Sequence, residues 1–201
     1  MILLVRHGRT EANARGLLLG RMDPQLDAEG RRQAACLGAE LAGLDVTRIV
    51  TSPLARTRAT AEVVADVLRG EGPAVDVEVD ERWIELDYGV LDGTPLAAVG
   101  ADRWSAWRSD VSWAPEGGES LAGLGERVRG ACQELAAEVG ERDVVVVTHV
   151  SPIKAAVAWA LGVGDEVAWR MWVAPASVTR IGHGAGGVPS LRSFNEIAHL
   201  A

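Results

Sequence analysis

The sequence has few cysteines, no long apolar run and no excess of positive charge, and each absence excludes a class of protein. Only Cys36 and Cys132 are present among 201 residues, and their spacing does not match metal ligands. We therefore expect reduced thiols in a cytoplasmic protein. No apolar run approaches the roughly 20 residues that a membrane-spanning helix needs. The formal net charge of −8 argues against binding to nucleic acid or to an anionic membrane, since both require a basic surface.

Short apolar strands alternate with helical segments along the chain. The predicted strands are residues 1–6, 48–51, 75–79, 144–147, 169–173, 177–181 and 191–194, and the predicted helices are 27–43, 52–69, 119–139 and 152–161. Such alternation favours a mostly parallel sheet with helices on both faces. Because no repeat, linker or low-complexity tract interrupts the pattern, we predict one α/β domain over residues 1–201, built as a three-layer sandwich.

The end of the first predicted strand carries the most distinctive pattern. It runs directly into Arg6-His7-Gly8, and Thr10 and Asn13 follow. Ligands of open α/β sheets bind at the carboxyl ends of the strands. A cation, an imidazole and small hydrogen-bonding groups at that position suit an oxyanion such as phosphate. On this stretch alone, the histidine fits a capped or solvated loop residue as well as a nucleophile or an acid/base.

Two later strand-to-helix junctions repeat the pattern. Arg56 lies one turn into the helix after the second strand, where a guanidinium can bind two oxygens of one phosphate. His149 follows the strand 144–147 and precedes a helix N-terminus, whose free N–H groups favour an anion. Alone, Arg56 would be interpreted as a surface residue. Two of the four histidines, however, occupy equivalent positions in the predicted fold, which favours a shared anion site.

The loop after residue 80 places carboxylates among aromatic side chains. Its acidic residues are Glu81, Glu85, Asp87 and Asp92, with Trp83 and Tyr88 between them. An apolar environment favours the neutral form of a carboxyl group, which can then donate a proton. From these residues alone, each of the four carboxylates could be either an acid catalyst or a turn residue.

Taken in order, these motifs resemble those of the histidine phosphatase superfamily, in its phosphoglycerate-mutase-like branch. The resemblance rests on Arg6-His7-Gly8 with Thr10 and Asn13, residues 20–34, Ser52-Pro53-Leu54 with Arg56 and Thr60-Ala61, Glu85 with Tyr88-Gly89 and Gly93, and Thr148-His149. These segments follow the family's order and cover nearly the whole chain.

The resemblance implies a role for each central residue. His7 would attack phosphorus and become a phosphohistidine. Glu85 would protonate the leaving oxygen and then activate the water that cleaves the phosphoenzyme. The groups that would bind the phosphoryl oxygens are Arg6, Arg56, His149 and Asn13. Because arginine and imidazole groups supply the positive charge, neither a metal nor a cofactor is implied.

The residues expected to bind the rest of the phosphate or the substrate are less well defined. The resemblance adds Thr10, Gly20, Arg21 and Val150 to this set. Many family members have glycine where Val150 follows the second histidine, so we expect a narrower pocket with altered specificity rather than lost activity. The tryptophans at 83, 104, 107 and 113 could stack on a substrate or could simply pack.

Three functions are compatible with these motifs, and we expect a phosphatase that acts on a small phosphorylated metabolite. A phosphomutase would need extra chain over the site, whereas His149 follows Glu85 by only 64 positions and the C-terminal segment is short. A catalytically inactive phospholigand-binding module would be expected to lack one of the key residues, and all are present. Sugar phosphates, phosphoglycerates, nucleotides and α-ribazole phosphate all remain possible substrates. The apolar closing strands could also form the edge of a homodimer.

Overall fold

The central sheet of the computed structural model has six strands within the described residues, which are 1–70, 75–138, 142–183 and 187–201. These are β1 (Ile2–Arg6), β2 (Val46–Thr51), β3 (Asp76–Val79), β4 (Asp143–Thr148), β5 (Val178–His183) and β6 (Pro189–Glu196). Their order across the sheet is β3-β2-β4-β1-β5-β6. The first four in this order are mutually parallel. Strand β5 pairs antiparallel with β1, and β6 pairs antiparallel with β5. The predicted mostly parallel α/β sheet is therefore confirmed.

The helices of the described residues follow the predicted alternation. The α-helices are α1 (Glu11–Ala14), α2 (Ala28–Leu41), α3 (Ala55–Arg69), α4 (Ala101–Ser109), α5 (Leu121–Glu138) and α6 (Val150–Leu161). Shorter 3-10 helices span Glu81–Trp83, Gly89–Leu91, Leu96–Ala98, Asp165–Arg170 and Ala198–Leu200. As predicted, Asp27 caps α2, and its carboxylate accepts the Gly30 N–H at 2.7 Å. Val139, the predicted last residue of α5, lies outside the described residues.

Both faces of the sheet are covered, because alternate side chains of a strand point to opposite faces. In β1, Ile2 and Leu4 join the apolar cluster that contains the buried residues of α5 and α6. Leu3 and Val5 join the cluster formed with α2 and α3. All four side chains are fully buried. This arrangement gives the predicted three layers, and no helix among the described residues has the length and apolarity needed to cross a membrane.

Two predicted elements differ from the structure. The second helix was expected to open at Ser52, but α3 begins at Ala55. Asp23 supplies its N-terminal hydrogen bonds from another segment, since its carboxylate oxygens accept the Ala55 N–H at 2.8 and 2.9 Å. The strand predicted over residues 169–173 is wrong: a 3-10 helix ends at Arg170 and an irregular stretch follows. In this stretch, the Val173 carbonyl bonds to a side chain and not to a neighbouring strand: it accepts a hydrogen bond from Arg6 Nη1 at 2.7 Å.

The carboxyl ends of β1, β2 and β4 meet at one edge of the sheet. The backbone N–H of His7 donates to the Thr148 carbonyl at 3.0 Å, and that of Ser52 donates to the Val147 carbonyl at 3.1 Å. These bonds extend the parallel ladder beyond the last strand residues. As a result, the residues that follow all three strands are brought together at this edge.

Candidate active site

The His7 ring is held in one tautomer. Its Nδ1 atom lies 2.7 Å from the Gly8 carbonyl oxygen, which can only accept a hydrogen bond, so Nδ1 carries the proton. Nε2 therefore keeps its lone pair, which is the state that a nucleophile requires. Glycine is needed at position 8, because a Cβ there would collide with the Gly30 carbonyl.

Arg56 is fully buried and is anchored from three directions. Its Nη1 donates to the Met22 carbonyl at 2.7 Å and its Nη2 to the Gly20 carbonyl at 2.8 Å. Its Nε donates a hydrogen bond to the Nε2 atom of His7 at 3.3 Å. The two carbonyl anchors fix the plane of the guanidinium, so that a cation faces the lone pair of His7.

Arg6 and His149 each present a buried nitrogen that has no hydrogen-bond partner within the described part of the chain. Arg6 Nη1 donates to the Val173 carbonyl at 2.7 Å, but its Nε is unpaired. His149 Nε2 lies 2.8 Å from the Ser52 hydroxyl oxygen, and its Nδ1 is unpaired. The His149 and His7 rings lie 5.1 Å apart between centroids. Buried polar nitrogens without partners are costly, and an oxyanion bound beside His7 would satisfy them.

Burial sets the charges of these groups. Burial lowers the pKa of His7 well below its ordinary value, and Arg56 and Arg6 lower it further. Burial, followed by Arg56, lowers the pKa of His149 in the same direction. Both imidazoles are therefore neutral near pH 7. Burial also lowers the pKa of Arg6, to about 10, which leaves its guanidinium charged at that pH.

Glu85 is buried against the N-terminus of α6 and is the only one of the four candidate carboxylates to line the cavity described below. Its Oε1 accepts the N–H groups of Leu86 at 2.7 Å and Ser151 at 3.2 Å. Its Oε2 accepts the Val150 N–H at 3.1 Å. The orphan donors at a helix N-terminus favour a negative charge. This carboxylate is thus held rigidly, only 3% exposed, beside the His7 site.

A cavity of about 300 Å³ opens at this edge of the sheet. Among its polar lining residues are Arg6, His7, Asn13 and Glu85. The rest of its lining is Leu17, Leu18, Leu19, Leu86, Tyr88, Leu96, Trp104, Trp107, Leu121, Val150, Ser151, Lys154, Ala168, Trp169, Trp172 and Val173. Arg56 and His149 are not part of the lining, but Arg56 Nε lies 3.3 Å from His7 Nε2 and the His149 ring centroid lies 5.1 Å from that of His7. The structure therefore brings together all five residues expected to be catalytic.

Asn13 lies in the cavity lining, whereas Thr10 supports it from behind. The fully buried Thr10 caps α1: its hydroxyl accepts the Asn13 N–H at 3.2 Å, and its own N–H donates to the Asn13 side-chain oxygen at 3.1 Å. With its oxygen occupied in this way, Asn13 can offer its side-chain NH₂ group to a ligand.

Gly20 and Arg21 are placed as supports beside the site and are not part of the cavity lining. Gly20 anchors Arg56 through its carbonyl, and its N–H donates to Asp92 at 2.8 Å. Arg21 lies 3.6 Å from the Glu119 carboxylate and 3.8 Å from that of Asp87. Both residues therefore act on neighbouring protein groups in this structure.

Several lining or positioning residues were missed or misassigned from the sequence. Ser52 was predicted as a helix cap, but its hydroxyl orients His149. Trp169 and Trp172 were both assigned to the strand 169–173, whereas both line the cavity, and Trp172 is 66% exposed. Lys154 also lines the cavity, and its helical spacing of four from Val150 is a signal that could have found it. Trp83 lies in the buried core and is absent from the cavity lining, as is Trp113.

Within the residues that the structure describes, no group of three or more histidine, cysteine, aspartate or glutamate side chains is arranged to hold a metal ion. The positively charged groups next to His7 are the guanidinium groups of Arg6 and Arg56. Their chemistry suits a phosphoryl group, since guanidinium and imidazole nitrogens donate hydrogen bonds to its oxygens.

Comparison with known proteins gives relatives along nearly the whole chain. A bifunctional protein of Mycobacterium tuberculosis, Rv2228c, is 34% identical over 204 residues, covering 99% of this chain and 54% of that protein. The chain thus spans about half the length of that relative. The Klebsiella pneumoniae protein named "Probable phosphoglycerate mutase GpmB" is 36% identical over 188 residues, covering 90% of this chain and 83% of its own length.

A solved structure and a family model agree with this relationship. The mycobacterial glucosyl-3-phosphoglycerate phosphatase Rv2419c superimposes with a TM-score of 0.86 and 30% identity, covering 98% of both chains. The family model described as the histidine phosphatase superfamily, branch 1, matches residues 2–197. The chain therefore belongs to branch 1 of the histidine phosphatase superfamily.

Proposed function

We propose that the chain is a metal-independent phosphatase that hydrolyses a small-molecule phosphate monoester through a phosphohistidine on His7. The observation that carries this proposal is the fixed tautomer of His7: Nδ1 carries the proton, and the unprotonated Nε2, which accepts the Arg56 Nε–H at 3.3 Å, is the nitrogen that can attack. Neutral imidazole and guanidinium groups at this distance suit attack on an anionic phosphoryl group.

In the first step, Nε2 of His7 attacks phosphorus as the bond from phosphorus to the ester oxygen breaks. The negative charge of the phosphate bound beside Glu85 favours the protonated carboxyl and opposes the preference of the Leu86, Val150 and Ser151 N–H groups for the carboxylate. Glu85 then transfers its proton to the departing oxygen, so that the alcohol leaves neutral. The phosphoryl group remains on Nε2 as a phosphohistidine, and Glu85 is left as a carboxylate.

In the second step, a water molecule attacks the phosphohistidine. Glu85 takes a proton from that water as the bond from oxygen to phosphorus forms and the bond from phosphorus to Nε2 breaks. Orthophosphate is released, His7 regains its lone pair, and Glu85 regains its proton. The cycle is closed without any external oxidant, reductant or metal.

Positive groups around His7 would stabilise the phosphoryl oxygens in both steps. Arg6 and Arg56 supply charge, while the unpaired Nδ1 of His149 and the NH₂ group of Asn13 supply hydrogen bonds. Val150 has a different part in this proposal from the one expected from the sequence. Its N–H donates to Glu85, so it holds the acid/base rather than the phosphate.

The test is hydrolysis of p-nitrophenyl phosphate in the presence of EDTA. Wild type and His199→Ala should both turn over, because His199 lies outside the cavity and bonds the Ala176 carbonyl. His7→Ala should lose activity, and rapid quenching of wild type should trap acid-labile, base-stable phosphate on the protein. Equal activity in wild type and His7→Ala would refute the proposal.

A phosphomutase is the second candidate, since a relative that is 36% identical carries that name. The two activities separate with 3-phosphoglycerate as substrate and 2,3-bisphosphoglycerate as primer, followed by ³¹P NMR. A phosphatase releases orthophosphate, whereas a mutase forms 2-phosphoglycerate without net release. We expect orthophosphate release.

A further inference from the structure

The cavity lining combines two kinds of side chain. His7 and Glu85 are polar. Leucine and tryptophan side chains make up much of the rest, namely Leu17, Leu18, Leu19, Leu96, Trp104 and Trp169. Apolar and aromatic walls favour an alcohol that buries an apolar body beyond its phosphate group.

Lys154 is a cation in the same lining, and the charges of Glu85 and Arg6 act on it. It is the single lysine of the chain, whose other 19 basic residues are all arginine. It lies four residues after Val150 on α6, so both side chains occupy one face of the helix, about 6 Å apart along its axis. Both line the cavity. A cation therefore stands about one helical turn beyond the amide that holds Glu85.

The Lys154 ammonium makes no hydrogen bond or ion pair with any residue that the structure describes. Burial lowers the pKa of this group, although the Glu85 carboxylate opposes that shift. Lys154 Nζ is not among the fully buried nitrogens without a partner, so it keeps contact with solvent, and the reduced screening of a partly buried site would strengthen its attraction to an anion on a ligand. By contrast, Arg6 is already anchored by the Val173 carbonyl.

We propose that Lys154 determines substrate specificity by binding a second anionic group, such as a carboxylate, on the alcohol part of the phosphate monoester. This proposal rests on the phosphatase function proposed above and names its substrate class. The preferred substrate combines a phosphate at His7, an apolar body against the tryptophan and leucine walls, and a negative charge at Lys154.

Another role for Lys154 is to balance the charge of Glu85. In that case its removal would affect every substrate alike, because Glu85 serves the same steps for all of them. If Lys154 binds the substrate, its removal should affect only substrates that carry the second anion. The ratio of kcat/KM values between matched anionic and neutral substrates therefore separates the two roles.

The experiment uses phenyl phosphate with 3- and 4-carboxyphenyl phosphate, and glycerol 3-phosphate with 3-phosphoglycerate. The variants are Lys154→Met, which removes the charge, and Lys154→Arg, which keeps it. Arg170→Met is the matched control, because it removes an exposed cation outside the cavity lining. Dividing each anionic-to-neutral ratio by that of wild type cancels the intrinsic reactivity of the esters.

We expect Lys154→Met to lower kcat/KM by about 10- to 100-fold for the carboxylate member of at least one pair, as is typical for loss of a hydrogen bond to a charged group. The neutral member should stay close to wild type, Lys154→Arg should retain most of the preference, and Arg170→Met should retain all of it. Equal losses for both members, or no loss for either, would overturn the role of Lys154 while leaving the phosphatase intact. If wild type hydrolyses none of these esters faster than His7→Ala, both proposals fail.

Discussion

Replacing Glu85 by glutamine should separate proton transfer from phosphoryl binding. The side chain keeps its volume, and one oxygen can still accept backbone N–H groups at the start of α6. The other oxygen becomes an NH₂ group, which cannot donate a proton to a leaving alkoxide and meets the Val150 or Ser151 N–H donor to donor. Both catalysis and stability should therefore change, each by a predictable amount.

The magnitudes follow from the contacts of Glu85. A positioned general acid contributes about 100- to 10,000-fold, so kcat/KM for an alkyl phosphate should fall by that factor. The fall should be much smaller for p-nitrophenyl phosphate, since p-nitrophenolate is a weak base that leaves without a proton. Loss of one hydrogen bond to a charged group costs about 1.5 to 3 kcal/mol. For a chain of this size, that loss lowers Tm by about 3 to 12 °C.

The assay measures kcat/KM for glycerol 3-phosphate and p-nitrophenyl phosphate in wild type and Glu85→Gln, with Tm as the check on folding. Because kcat/KM reports the steps up to phosphoenzyme formation, loss of the base in the second step does not affect it. That second loss should instead appear as a burst of p-nitrophenol stoichiometric with enzyme. Falls of the same size for both substrates, without a burst, would refute the assignment of Glu85 as acid and base.

Three further predictions concern protonation and the cavity rim. After burial itself, Arg56 is the largest cause lowering the pKa of His7. Arg56→Met should therefore raise that pKa and move the acidic limb of the kcat/KM profile to higher pH; an unmoved limb would contradict this. Because burial lowers the pKa of both His7 and His149, the unfolded chain binds more protons below its ordinary histidine pKa of about 6.5. The free energy of unfolding, measured with urea, should thus fall as the pH drops below that value, and a profile without this fall would show that these imidazoles are not buried neutral. Trp172 is 66% exposed at the rim, so Trp172→Ala should raise KM for aryl phosphates more than it lowers kcat, with little effect on glycerol 3-phosphate.

The strands and their order of appearance could be predicted because burial imposes a visible pattern. Continuous apolar runs such as Val144–Val147 form central strands of the sheet, where both faces are covered. The strand predicted at 169–173 failed because that segment is apolar for another reason. Trp169 packs against the aromatic rings of Trp104 and Trp107, with centroids 6.1 and 5.8 Å away. Apolarity alone does not distinguish these two kinds of burial.

Which residues gather at the sheet edge was predictable, but how they bond was not. The carboxyl ends of parallel strands meet, so Arg6, His7 and His149 had to come close. The anchoring of Arg56 by the Gly20 and Met22 carbonyls depends on a loop 34 and 36 residues away in sequence. Neither periodicity nor capping preference describes such contacts, because they are set by the path of an irregular segment.

The position of Glu85 explains why valine is compatible with catalysis after the second histidine. A helix N-terminus at the end of a strand commonly receives a phosphate, and this expectation assigned the Val150 amide to the substrate. Here a carboxylate 65 residues earlier accepts that amide, so the phosphoryl charge must be balanced by side chains. In the proposed mechanism, Arg6 and Arg56 would balance that charge, which is consistent with their burial beside His7. Since the Val150 backbone contacts Glu85, the proposed mechanism does not require a close backbone approach by the phosphate, which would favour glycine. The Val150 side chain instead lines the cavity, as Lys154 does.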